Sequence, residues 1–300
     1  MTSPLNARRL AALVVLATFL LTGVPAAGAS TPPPPGGVLK GVDISWPNCP
    51  TGMGIPQRRT QGNPMPPVGS RFVVLGLTNG PGFYPNPCLA SQIAWVRARH
   101  LWASVYSIVT YPTPAQLVTY GGTGSLTTRA YRVGVAQARF NLDTMRRAGL
   151  ARVPMAWVDV EPVRGWPWSA SHAANNVLVD GVLAGYRAAG MRTGLYSYRS
   201  GWNEITGGRQ LPSIPTWVPL STCAKASFSG GPVWMTQTTS NGSDFDTTCP
   251  AGAGAGALTT YLGTRLTQGS RGPAVVALQR QIGTGADGRF GPLPLLFAST

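Results

Sequence analysis

The stretch Val153-Pro-Met-Ala-Trp-Val-Asp-Val-Glu-Pro162 decides the reading of the fold, because an apolar run ends in two acids spaced two residues apart. Side chains alternate along a strand, so Val153, Met155, Trp157, Asp159 and Glu161 are predicted on one face and Ala156, Val158 and Val160 on the other. The chain holds only 9 acidic residues against 24 basic ones, so two acids closing one hydrophobic strand serve solubility poorly. Paired carboxylates, one keeping its proton among apolar neighbours such as Trp157, are the equipment that protonates a leaving oxygen in glycoside hydrolysis. The bland alternative is an exposed strand end with two solvated acids.

Outward from this segment, short apolar strands alternate with helical patterns. Strands are predicted at Gly41 to Ser45, Phe72 to Thr78, Trp102 to Val109, Met155 to Glu161, Thr193 to Tyr198, Thr216 to Leu220 and Pro232 to Gln237. Helices are predicted at Leu89 to Arg99, Thr128 to Ala148 and Ser171 to Ala189, with a short turn near Trp202. Val135, Ala138, Leu142 and Met145 recur at helical spacing before the stop at Gly149, as do Leu178, Val182 and Tyr186 before Gly190. This alternation predicts an α/β fold: a parallel sheet with helices outside, closed into a β/α barrel. An open doubly wound sheet is the competing architecture.

The N-terminus reads as a secretory signal over 1–29: Arg8-Arg9, an apolar run from Leu10 to Leu21, Pro25, and the small-residue exit Ala27-Gly28-Ala29. That run is shorter than the roughly 20 residues needed to span a bilayer, so no membrane attachment is expected after cleavage. A proline-rich linker follows over 30–40. The formal charge of +15 is carried almost wholly by arginine and stays strongly positive without Arg8 and Arg9. For a secreted chain this either suits an anionic bacterial wall or reflects no more than a composition rich in Arg, Ala, Gly and Pro; nucleic acid is not expected, since no recognition module is present. Cys49, Cys88, Cys223 and Cys249 fit an oxidising compartment and allow three pairings; their grouping favours Cys49 with Cys88 and Cys223 with Cys249. His100 and His172 read as ordinary helical surface positions, and no metal site is expected. No G-x-S-x-G elbow is present, which sets a serine hydrolase aside.

Taken together, Gly41-Val-Asp-Ile-Ser-Trp46, the Trp157-Val-Asp-Val-Glu161 strand, Thr193-Gly-Leu-Tyr-Ser-Tyr198 with Trp202, and the Trp234 to Gln237 segment resemble glycoside hydrolase family 25, the lysozyme-type muramidases. The resemblance covers 41–250. It implies an irregular TIM-like β/α barrel, cleavage of the β-1,4 bond between N-acetylmuramic acid and N-acetylglucosamine, and no cofactor. By position, Glu161 matches the general acid and Asp159 the acid that steers the sugar's N-acetyl group. Asp43 matches the acid closing the first strand, and Asp246 or Asp244 the acid near the last strand; Asp246 is taken as catalytic and Asp244 as substrate-binding. Trp46, Tyr106, Tyr196, Tyr198, Trp234 and Gln237 are the remaining candidates for contact with sugar. The Trp-Gln pair common in the family stands here as Thr236-Gln237.

Ala251-Gly-Ala-Gly-Ala-Gly-Ala257 reads as part of a flexible linker over 251–264. From 265 to 300, Gly269-Ser-Arg-Gly-Pro-Ala-Val-Val-Ala-Leu-Gln279 and Asp287-Gly-Arg-Phe-Gly-Pro292 resemble a small helical peptidoglycan-binding domain. The residues after Pro294 are too few for its third helix, so a partial module is expected. The resulting expectation is a secreted, monomeric muramidase whose partner is peptidoglycan. A wall-binding barrel without turnover is the alternative from another class, and a hydrolase of another N-acetylated glycan such as chitin is a third.

Overall fold

The computed structural model describes residues 38–250, 260–261, 269–272, 275–276, 279 and 285–291. The expected signal segment and most of both linkers lie outside the described residues, as does the segment in which a third C-terminal helix was sought.

The strands are β1 (Lys40–Ile44), β2 (Gly54–Ile55), β3 (Arg58–Arg59), β4 (Phe72–Gly76), β5 (Trp102–Ile108), β6 (Met155–Asp159), β7 (Arg192–Tyr196), β8 (Thr216–Val218), β9 (Val233–Ser240), β10 (Ser243–Thr248) and β11 (Thr260–Tyr261). The helices are α1 (Leu89–Ala98), α2 (Pro114–Gly121), α3 (Leu126–Arg147), α4 (His172–Ala188) and α5 (Arg199–Thr206). Around the barrel the order is β1-β4-β5-β6-β7-β8-β9-β10 and back to β1, so spatial order follows chain order. β2 and β3 form a separate hairpin, and β11 pairs with the start of β5 inside the stretch expected to be linker.

The barrel is α/β, as expected, but not wholly parallel. β10 runs antiparallel to both β9 and β1. Its sequence, Ser-Asp-Phe-Asp-Thr-Thr, has no apolar run, and the two-residue turn that reverses it is Asn241-Gly242, both at positive φ (50° and 72°), the left-handed pair that a tight hairpin needs. α2 also escaped the periodicity reading, since only Gly121 of its residues is buried. It starts instead from a capping box: Thr113 accepts from the Gln116 amide, and the Gln116 side chain accepts from the Thr113 amide. The predicted turn near Trp202 is a full helix, α5. His100 lies past α1 at φ 54°, not in a helix, while His172 is the first residue of α4.

Two apolar layers result from strand alternation. Val73, Leu75, Ala103, Val105, Ala156, Val158 and Leu195 face outward and pack under the helices. Leu39, Phe72, Val74, Trp102, Met155, Trp157, Trp217 and Met235 fill the interior. Val153 joins the outer layer and not the face of Met155, because Pro154 separates it from a strand that begins only at Met155. Large side chains fit opposite missing ones: Trp157 pairs with Gly194 across β6 and β7, where a Cβ would lie 2.3 Å from the indole. Cys49–Cys88 and Cys223–Cys249 are disulfides, with Cα atoms 5.6 and 5.7 Å apart.

Outside the barrel, α3 and α4 touch backbone to backbone. A Cβ on Gly134 would sit 2.1 Å from the Leu178 carbonyl oxygen, and one on Gly181 2.1 Å from that of Tyr131. Tyr186 of α4 anchors the pair to β5 through Ser107 (2.8 Å), and burial pushes its phenol up to about 12. Gly134→Ala and Gly181→Ala should each cost about 2–3 kcal/mol by forcing the helices apart, measurable as a lower urea midpoint.

Candidate active site

Asp43, Asp159, Asp244 and Asp246 occupy inward positions of β1, β6 and β10. β6 ends at Asp159, which pairs with Ile108 of β5 and Tyr196 of β7 and is 3% exposed. Glu161 follows just past the strand end, half-buried, with its backbone carbonyl accepting from the Trp168 indole N–H at 3.0 Å. This is the carboxyl end of the parallel strands, where loops leave a barrel open to ligand.

On the opposite wall, β1–β10 register separates the two acids that sequence could not distinguish. Asp244 stands opposite Asp43, half-buried; Asp246 stands opposite Gly41, one layer deeper and 1% exposed. Thr239 donates to Asp244 at 2.6 Å. Neither oxygen of Asp246 has a hydrogen-bond partner among the described residues. The mouth position is therefore that of Asp244, and Asp246 belongs to the interior.

Gln237 links the walls. Its Nε2 donates to Asp43 Oδ2 at 2.8 Å, and its Oε1 accepts from the Tyr196 hydroxyl at 2.7 Å. With both ends of the amide engaged, Asp43 is held in one orientation. Tyr196 packs at 4.6 Å against Trp217 with the ring planes tilted by 58°, and Trp217 also meets the rings of Tyr106 (5.7 Å) and Trp157 (6.0 Å). Tyr106 and Tyr196 thus sit between the interior and the mouth. Tyr198, 37% exposed at the start of α5, lines a separate cavity of about 360 Å³ and also feels the Glu161 charge, which after burial raises its phenol. Trp234 is not at the mouth: it stands near the start of β9, at the opposite end from the acids, and packs on the interior cluster.

Burial dominates the electrostatics. It pushes Asp159 well above the usual carboxylate range, with the Glu161 and Asp43 charges adding to the rise. Asp43 is raised by burial and then by Asp244, against the hydrogen bond from Gln237. Burial, then Asp43 and Asp244, raises Asp246 in the same way; Trp217 offsets part of this from outside hydrogen-bond geometry. Glu161 is raised by burial, pulled back by Arg58, and raised again by Asp244. So many close acids cannot all be ionised, and the cluster keeps protons that free carboxyls would have lost.

Arg58 is the residue that sequence reading missed. It arrives on the β2–β3 hairpin, with its guanidinium carbon 5.6 Å from the ring centres of both Trp46 and Trp166. The available signal was two adjacent arginines, Arg58 and Arg59, inside the segment bracketed by Cys49 and Cys88. Among the described residues no three His, Cys, Asp or Glu side chains are placed so that they could hold a metal ion.

No family model matches the chain. Among curated proteins, Lysozyme-like protein 5 of Caenorhabditis elegans is 30% identical over 71 residues, which is 24% of this chain and 31% of that protein, so the match spans about a third of the relative's length. Among solved structures, a muramidase from Acremonium alcalophilum superposes with a TM-score of 0.51 at 17% identity, covering 73% of this chain and 98% of that one. A family GH25 lysozyme from Aspergillus fumigatus gives 0.48 at 16% identity, covering 71% and 94%. The Acremonium likeness shows a shared fold: the irregular β/α barrel.

The raised carboxyls set the sign of a pH effect. The folded chain holds protons that the unfolded chain releases near pH 4, so their stabilisation is full below that value and is lost as pH rises through the raised values. Melting should therefore occur at a higher temperature at pH 5 than at pH 7.5. Asp246→Asn, which removes a buried charge but keeps its shape, should narrow the gap by raising the pH 7.5 value.

Proposed function

We propose that this chain is a secreted muramidase that hydrolyses the β-1,4 bond between N-acetylmuramic acid and N-acetylglucosamine in peptidoglycan. The observation that carries the reading is the placement of Asp159 and Glu161 together at the carboxyl end of β6, in surroundings that keep a carboxyl protonated. The fold shared with the Acremonium muramidase, the short match to a lysozyme-like protein and two disulfides suited to an oxidising compartment support it.

In this reading Glu161 is the general acid. It donates its proton to the glycosidic oxygen as the bond from C1 breaks, and positive charge develops on the sugar ring. Asp159, held beneath it, orients the N-acetyl group of that sugar. Water then supplies hydroxide to C1 and returns a proton to Glu161. Asp43, fixed by Gln237, and Asp244 line the far wall, and the negative charge that the cluster as a whole retains favours the cationic transition state. Asp246, one layer deeper and 1% exposed, touches no substrate. Tyr106 and Tyr196 form the floor under the sugar, and Trp46 is an aromatic side wall.

The assay is incubation of the chain with purified peptidoglycan, with mass spectrometry of the released ends. Muropeptides ending in reducing N-acetylmuramic acid are expected. Glu161→Gln should lower the rate by about 10²–10⁴-fold while leaving sedimentation with the wall unchanged. No release from wild type, with sedimentation intact, would instead establish the binding barrel without turnover. Because Glu161 must carry its proton, the rate should fall as pH rises through its raised value, and a flat profile would exclude that role.

A further inference from the structure

The β2–β3 hairpin and the Val163–Trp166 turn face each other across a cavity of about 880 Å³. Its walls include Trp46, Arg58, Arg59, Tyr84, Arg164 and Trp166. All of its charged lining residues are arginines, and the nearest opposing charge identified is Glu161. We propose that this cavity is an anion subsite beside the cleavage point, in which Arg58, Arg59 and Arg164 bind a carboxylate or phosphate carried by the glycan strand. That the anion arrives on a glycan rests on the muramidase reading above.

Arg58 is prepared for such a ligand. Its guanidinium carbon lies 5.6 Å from the ring centres of both Trp46 and Trp166, aromatic faces that attract a cation without using its N–H donors. Among the described residues its side chain makes no hydrogen bond, and the ion pairs present there, Arg146–Asp143 and Arg209–Asp180, involve neither Arg58 nor Glu161. A guanidinium serving only as counter-charge to Glu161 would be expected to close a direct, forked contact. Half-buried and with unused donors, Arg58 is instead suited to accept an external carboxylate or phosphate.

The surroundings fix it in place. Asn79 Oδ1 accepts from the Ile55 amide (2.8 Å), and Asn79 Nδ2 donates to the Arg58 carbonyl (3.2 Å). Gly80, at φ +90°, leaves the space that the Arg58 stem fills: a Cβ there would meet Arg58 Cδ at 2.4 Å. Arg59 donates to the Gly52 and Gly54 carbonyls (3.2 and 3.1 Å), and the Cys49–Cys88 disulfide ties down the root of the loop. Little ordering remains to be done when a ligand enters. Occupancy also has a chemical effect, since an anion on Arg58 cancels the charge that pulls a proton from Glu161. Recognition of the substrate's anion thereby favours the protonated general acid.

Two sources carry this chemistry: the carboxylates of the peptide stem, and phosphodiesters of a polymer attached to the glycan. The test measures binding to the full chain by calorimetry, using a disaccharide-peptide, the same compound with its stem carboxylates amidated, and a disaccharide bearing a phosphate ester. At least one anionic form should bind tenfold or more tightly than the amidated one; which of the two does so identifies the source. Arg58→Gln and Arg164→Gln should each erase most of that preference, and Arg58→Lys should restore part of it. Arg164 is exposed, so its variant remains informative if Arg58→Gln folds poorly. Equal affinity for all three compounds, or a preference that survives both Gln variants, would overturn the subsite. Wall cleavage is scored separately: an arginine-dependent preference without cleavage would fail the muramidase reading alone, and cleavage without the preference would fail the subsite alone.

Discussion

The packing of Trp157 over Gly194 is the constraint from which the chemistry of this barrel follows. With no side chain on β7 at that level, the indole lies across the interior and, together with Trp217, Trp102, Phe72, Met155 and Met235, fills the barrel below its mouth. A filled interior keeps water from reaching the acids from beneath, and desolvation is the leading cause of the rise at Asp43, Asp159, Glu161 and Asp246 alike. Smaller residues here would leave the same carboxyls in place but wet, and wet carboxyls titrate as ordinary acids.

Opposed to this apolar floor is Arg58, a cation brought in from outside the barrel. Arg58 belongs to no barrel strand, yet it is the group that draws Glu161 back toward ionisation. The balance at Glu161 is therefore set by two unrelated parts of the fold, a packed interior and a stapled hairpin. The hairpin can change without rebuilding the strand that carries the acid, whereas the interior includes Met155 and Trp157 of that strand itself. Gln237 adds rigidity to the opposite wall by a neutral route, an amide engaged at both ends, without adding charge to a crowded site.

What could be read from sequence follows from where local pattern and tertiary demand agree. The Met155–Asp159 strand announced itself because both its faces are buried, one under helices and one in the interior. The α3 and α4 periodicities were equally plain. The Ser243–Thr248 strand was hidden because its inward positions hold aspartates, so the residues of greatest interest for chemistry erased the apolar signature of the element carrying them. The choice between Asp244 and Asp246 depends on register against β1, which no local pattern encodes. Trp234 was misplaced for a related reason: an aromatic residue's position along a barrel wall depends on where its strand begins. Arg58 lay beyond reach because its neighbours, Trp46 and Trp166, are far apart in the chain and meet only through a loop-to-loop contact.

The antiparallel seam between β1 and β10 has a consequence for the history of the chain. The Gln237–Asp43 hydrogen bond spans 194 residues, and contacts of such separation are the most costly in chain entropy to close. A nascent polypeptide still lacking β9 and β10 already possesses Asp159 and Glu161, but has no Asp244 to oppose the loss of the Glu161 proton and no Gln237 to orient Asp43. The complete acid cluster is thus a property of the finished circle and not of its central strand.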